Sequence, residues 1–218
     1  MSLMASHAVE WGEGTVTVRV RKNGPGPAVL LAHGAGTDQD HGLMVGLAER
    51  LASHDLSVVT FNYPYTEAGR RGPDRPARLL ACHRGVAAWS RREVAPDLVF
   101  GGRSMGGRMS TMLAAEGEPM AGVVAYAYPL HPGGKPDRLR IEHLVRIPVP
   151  MLFFQGDRDA LARPDLFDRH VRSLPGVEVV DLVGVDHSWR ARGRSLDQLL
   201  DVVVDSTSAW IRHLATSG

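Results

Sequence analysis

The chain has 218 residues, 44% of them hydrophobic and 22% charged, and a formal net charge of +1 at pH 7. That length suits one globular domain with a substantial core, and a charge so near zero offers no electrostatic handle for nucleic acid or another polyanion. No apolar run approaches the length of a membrane span, and the lone cysteine, Cys82, excludes an intrachain disulfide and fits a reducing cytoplasm.

From the start of the chain, Met1-Ser2-Leu3 ahead of Met4 lacks a basic-then-apolar signal layout and reads as an appended remnant, with Met4 as the natural start. Residues 1–14 are read as an N-terminal segment and 15–218 as the domain, because no repeat or Gly/Ser/Pro-rich linker divides the rest. Thr15 to Arg19 alternates apolar and polar residues and predicts a half-exposed edge strand. Asn23-Gly24-Pro25-Gly26-Pro27 then breaks the chain. Continuous apolar runs at 28–32, 56–61, 97–101, 121–127, 149–155 and 177–183 predict strands buried on both faces, as in parallel sheets covered by helices. Between them, helical spacing links Leu43, Leu47 and Leu51; Leu79, Cys82, Val86 and Trp89; Met105, Met109, Met112 and Leu113; and Leu196, Leu200, Val203, Trp210 and Leu214. The methionines and Cys82 read as core packing. Alternating strand and helix implies right-handed crossovers and a doubly wound α/β sheet flanked by helices. The stretch from 127 to 149 is too short for a substantial lid.

Chemistry concentrates at Gly102-Arg103-Ser104-Met105-Gly106, a G-x-S-x-G pattern with a strand before it and a helix after. Such a pattern describes a nucleophile elbow, where a strained turn pushes a serine hydroxyl into the open. Three further pieces follow strands. His33-Gly34-Ala35-Gly36 is a turn able to aim a backbone N–H at a developing oxyanion. Gly156-Asp157-Arg158-Asp159 supplies a carboxylate, and Asp186-His187 supplies an imidazole on a loop. Serine, acid and histidine in that order give a nucleophile, an orienting group and a general base. Asp157 and Asp159 are both candidates for the acid.

These motifs resemble those of α/β-hydrolases, and the compactness is similar to that of the dienelactone-hydrolase-like branch, from about Thr15 to about Leu214. The resemblance implies a single-domain, lidless α/β-hydrolase fold with Ser104 as nucleophile, His187 as base and Asp159, three residues past Gly156, as the acid. It also implies an oxyanion hole from the N–H groups of Met105 and Ala35, with Gly34 or Gly36 as alternatives to Ala35. Each such donor is worth about 3–4 kcal/mol in related sites. Dienelactone hydrolases proper carry a cysteine nucleophile, so serine at 104 argues against their lactone substrate and for general esterase chemistry.

Two loops after strands, Asn62-Tyr63-Pro64-Tyr65 and Tyr128-Pro129-Leu130-His131-Pro132, are candidates for a pocket wall or for structural stiffeners, with Tyr63 and His131 as possible substrate contacts. Arg103 either recognises an acidic substrate group or forms an ion pair with a nearby carboxylate. Gly107 and Arg108 stand where a phosphate loop needs Lys and Ser/Thr. With no H-E-x-x-H and no cysteine pair, neither metal nor organic cofactor is expected. The reading is a serine hydrolase acting on a small-molecule ester, thioester or related acyl bond, without nucleic-acid or membrane partners. A non-catalytic hydrolase-fold binding protein and an acyltransferase are the rivals.

Overall fold

A computed structural model of the chain describes residues 4–217, so the reading of residues 1–3 as an appended remnant lies outside the described residues. Eight strands make one sheet: β1 (Met4–Glu10), β2 (Thr15–Arg21), β3 (Ala28–Ala32), β4 (Val58–Phe61), β5 (Leu98–Arg103), β6 (Gly122–Tyr126), β7 (Met151–Gly156) and β8 (Val177–Leu182). Their spatial order is β1-β2-β4-β3-β5-β6-β7-β8. The two pairings that involve β2 are antiparallel, and every pairing from β4 through β8 is parallel. The helices are α1 (Gly42–Ser53), α2 (Pro64–Glu67), α3 (Pro76–Glu93), α4 (Met105–Ala115), α5 (Pro164–Phe167) and α6 (Leu196–Ser217).

The apolar runs are continuous because the sheet is covered on both sides. All five side chains of β3 are buried, with Val29 and Leu31 turned to one layer and Ala28, Leu30 and Ala32 to the other. The first layer is α1 and α6, through Leu43, Leu47, Leu51, Leu200, Val203 and Trp210. The second is α3 and α4, through Leu79, Cys82, Val86, Met109 and Leu113. Burial pushes the Cys82 thiol up, so it stays protonated as a small core residue.

The expected edge strand is corrected. Thr15–Arg21 is an interior strand, hydrogen-bonded to β1 on one side and β4 on the other, and the edge is Met4–Glu10, within the segment placed ahead of the domain. Only Val9 of that strand is buried, so it carries no apolar run by which to be seen. Between β6 and β7 the chain forms a loop with one 3₁₀ turn, Leu144–Arg146, and no extra lid domain is present. Among the described residues no helix is long and apolar enough to cross a membrane.

The ends of β3 and β5 and the start of α4 meet through glycines. A Cβ on Gly106 would stand 2.1 Å from the Ala32 carbonyl oxygen, and one on Gly102 would stand 2.5 Å from the Gly106 carbonyl carbon. Neither obstacle is a flexible side chain, so a methyl group must push backbone apart. Gly106→Ala is expected to cost about 2–3 kcal/mol in urea denaturation. Gly26→Ala, where a Cβ meets nothing within 4 Å, is expected to stay within about 0.5 kcal/mol of the parent. Equal effects of the two substitutions would contradict this packing.

Candidate active site

At the carboxyl end of β5 the chain turns directly into α4 on Ser104, whose φ of 50° and ψ of −111° lie outside the regions an L-residue favours. The Ser104 N–H donates to the Tyr126 carbonyl at the end of β6, 2.9 Å away, so the strained residue is held by the neighbouring strand. Its hydroxyl projects from the elbow to the loop after β8. There Ser104 Oγ stands 2.9 Å from His187 Nε2, and His187 Nδ1 stands 2.8 Å from Asp159 Oδ2. A carboxylate can only accept, so Nδ1 carries the proton, and Nε2 is left as an acceptor for the serine hydroxyl.

Asp159 is 4% exposed. Its Oδ1 accepts the Leu161 N–H at 2.8 Å, and Oδ2 also accepts Gln155 Nε2 at 2.9 Å. Of the two candidate acids, the structure brings Asp159 to the imidazole. Asp157 instead accepts the Gly184 N–H at 2.6 Å, bracing the loop that leads to His187. Arg163 is engaged by Asp165, which leaves the acid to the histidine. The histidine loop is anchored just beyond by Trp189, 3% exposed and held at φ 63°. Its ring packs on Tyr126, centroids 6.2 Å apart. Asp186 accepts from the N–H groups of Ser188 and Arg190, closing the turn around His187.

The turn after β3 is set from beneath. His33 Nε2 accepts the Tyr63 N–H at 3.1 Å, so the proton sits on Nδ1, which donates to the Gly34 carbonyl at 2.9 Å. The Thr37 hydroxyl donates to that same oxygen at 2.9 Å and the Tyr65 hydroxyl at 3.4 Å. In a trans peptide the N–H opposes the C=O, so these donors on the Gly34 oxygen, joined by the Thr37 N–H at 3.4 Å, turn the Ala35 N–H the other way. A Cβ on Gly34 would stand 3.6 Å from Ser104 Cβ, which places this turn beside the elbow. Among the described residues none accepts a hydrogen bond from the Ala35 or Met105 N–H.

The structure does not bring Tyr63 and His131 to the site surface. Tyr63 is fully buried, its ring edge on His33 and its hydroxyl 3.2 Å from His83 Nδ1. His131 is 2% exposed, accepting the Arg163 N–H and donating to the Pro132 carbonyl. Both loops lie after strands as expected, but these side chains turn into the interior. Arg103, 8% exposed, has no carboxylate partner among the described residues, and its Nη2 donates to the His187 carbonyl at 3.1 Å. Gln155 and Trp189 were not singled out by sequence. The signal for Gln155 was a lone polar residue closing an apolar strand, and for Trp189 an aromatic residue two places past the histidine.

This sheet order, with a strained serine where a central parallel strand meets its helix, defines the α/β-hydrolase class. A model of the alpha/beta hydrolase domain family matches residues 25–212, and the chain belongs to that family. Solved structures share its fold at low identity. An alpha-beta serine hydrolase homologue from Coxiella burnetii superposes with a TM-score of 0.75 at 19% identity, covering 93% of this chain and 96% of its own. A lidless serine hydrolase from Xanthomonas campestris gives 0.74 at 20%, covering 96% of each chain. Dienelactone hydrolase from Anabaena variabilis gives 0.73 at 19%, covering 97% of each.

Two buried imidazoles tie this architecture to pH. Burial lowers His33 to about 4, against the pull of its bond to Gly34, and lowers the enclosed His83 to about 3. Both are depressed below the ~6.5 of an exposed imidazole, so the unfolded chain binds more protons as pH falls through that window. Stability is therefore complete above that value and lost as pH falls toward the folded values, at about 1.4 kcal/mol per pH unit for each proton. Urea denaturation between pH 7 and pH 5 is expected to show this decline, with a shallower slope for His83→Leu. A pH-independent stability over that range would contradict neutral burial.

Proposed function

We propose that the chain is a serine hydrolase that cleaves a carboxylic ester, thioester or related acyl bond through an acyl-serine intermediate. The observation that carries this reading is the unbroken chain of hydrogen bonds from Ser104 Oγ through His187 to Asp159. His187 Nε2 removes the hydroxyl proton as Oγ attacks the acyl carbon, and the carbonyl oxygen becomes an oxyanion. The Ala35 and Met105 N–H groups, which have no partner within the described residues, are the donors assigned to that oxyanion. Their alignment costs nothing at the moment of reaction, because the Gly34 carbonyl and the first turn of α4 already fix them. The imidazolium then gives its proton to the departing oxygen or sulfur as the carbon–leaving-group bond breaks. Water attacks the acyl-serine, its proton passing to Nε2, and collapse of the second tetrahedral species releases the acid and restores the serine.

Asp159 acts through the histidine. By holding Nδ1–H it fixes the tautomer in which Nε2 is basic, and its charge favours the imidazolium. Gln155 and the Leu161 N–H keep that carboxylate from rotating. The family and the likeness to hydrolases of known fold support the assignment. The serine in place of the dienelactone hydrolases' cysteine favours ester over lactone substrates, and a single buried cysteine favours a reducing cytoplasm as the compartment.

Ser104→Ala is expected to abolish covalent labelling by a fluorophosphonate probe while leaving the melting temperature near that of the parent. Asp159→Asn is expected to lower kcat on a short 4-nitrophenyl ester by a factor on the order of 10³–10⁴, whereas Asp157→Asn keeps most of the activity. Undiminished labelling of Ser104→Ala, or a larger loss at Asp157 than at Asp159, would overturn the assignment.

A further inference from the structure

The acyl-transfer scheme leaves one charged group at the site unused. Arg103 closes β5 immediately before the elbow serine and is 8% exposed. Some arginines of this chain meet carboxylates at the surface, as Arg19 does Asp40 and Arg172 does Asp168 and Asp181. Arg103 does not. Among the described residues its one hydrogen bond runs from Nη2 to the His187 carbonyl, its Nε is buried without a partner, and its Nη1 has none. Asp159 is near enough for its charge to be felt, but its oxygens are occupied by His187, Gln155 and the Leu161 N–H. A guanidinium taken out of water without a counter-charge destabilises a fold. Packing alone gives no reason to keep one here.

The free edge of this group lies against the turn after β3 that flanks the elbow. A Cβ at Gly34 would lie 2.7 Å from Arg103 Nη1 and 3.6 Å from Ser104 Cβ. The guanidinium and the serine therefore adjoin the same point beside Gly34. Close by, His41 at the start of α1 has its charged form disfavoured by burial and then by Arg103, with Asp38 acting on it in the opposite sense. Neither is hydrogen-bonded to the arginine.

We propose that Arg103 is a specificity-determining residue whose Nη1 binds a carboxylate carried by the substrate within a few bonds of the scissile carbonyl. On this assignment, which rests on the acyl-serine reading, the preferred substrates are half-esters or half-thioesters of small dicarboxylic acids. The substrate supplies the counter-charge that the fold withholds, and a neutral ester of equal length leaves the cation unpaired. A charge-assisted hydrogen bond of this kind corresponds to about a 10- to 100-fold preference.

The test compares kcat/KM for 4-nitrophenyl hemiglutarate and 4-nitrophenyl valerate, which share a five-carbon acyl chain and differ in the terminal carboxylate. The parent protein is expected to favour the hemiglutarate at least tenfold, Arg103→Met to bring the ratio to one or below, and Arg103→Lys to keep an intermediate ratio. A parent ratio of one or less would overturn the proposal. So would equal losses on both esters in Arg103→Met, the signature of an arginine that only braces the histidine loop. If Arg103→Met does not fold, the parent suffices: glutarate should slow fluorophosphonate labelling of Ser104 where glutaramide does not, and equal protection by the two overturns the assignment. A parent protein whose Ser104 takes no label at all would instead overturn the acyl-serine reading, and this inference with it.

Discussion

The approach of the Ala32 carbonyl to Gly106 governs the geometry of the site. With no room for a β-carbon at that contact, or between Gly102 and the backbone of Gly106 and Gly107, the ends of β3 and β5 and the first turn of α4 close on one another. The chain can make so tight a passage only by placing Ser104 in a conformation that an L-residue otherwise avoids. That one constraint turns the hydroxyl to His187, points the first free N–H of α4 beside it and brings the turn after β3 within reach. Three features of the site thus share one backbone cause.

The remaining parts are held by separate devices, each rigid for its own reason. Trp189, in a positive-φ conformation and packed on Tyr126, anchors the histidine loop to the core between the sheet and α6. The carboxylate of Asp159 is fixed by an amide from within β7 and a backbone N–H from the loop beyond it. Beneath the turn after β3, a neutral imidazole and two hydroxyls converge on one carbonyl oxygen. The neutral state is essential there, because a protonated His33 would lose its acceptor for the Tyr63 N–H. Burial secures it, at the cost of stability in acid.

Much of this was legible in the sequence because both faces of the central sheet are covered. Strands such as 28–32 read as unbroken apolar runs, and the glycines around Ser104 announce a close approach whatever lies on its other side. What escaped was whatever the pattern does not encode. Met4–Glu10 joins the sheet by backbone pairing with β2 while burying only Val9, so no periodicity betrays it. The loops carrying Tyr63 and His131 follow strands as anticipated, yet their rings fold inward, since Phe61, His33 and His83 form an aromatic bed for Tyr63. Two aspartates separated by one residue cannot be ranked by spacing. Their roles diverge only through the turn between them, which sends one to the Gly184 N–H and the other to His187. Likewise the lack of a carboxylate for Arg103 is a fact of three-dimensional placement in a chain with nearly equal numbers of acidic and basic residues, 24 and 25.

The most direct measurement is a crystal structure of the protein after reaction with a small alkyl fluorophosphonate. The account predicts phosphorus bonded to Ser104 Oγ, its phosphoryl oxygen within hydrogen-bond distance of the Ala35 and Met105 N–H groups, and His187 still bridging to Asp159. Phosphorus on another residue, or a phosphoryl oxygen turned away from both amides, would contradict it.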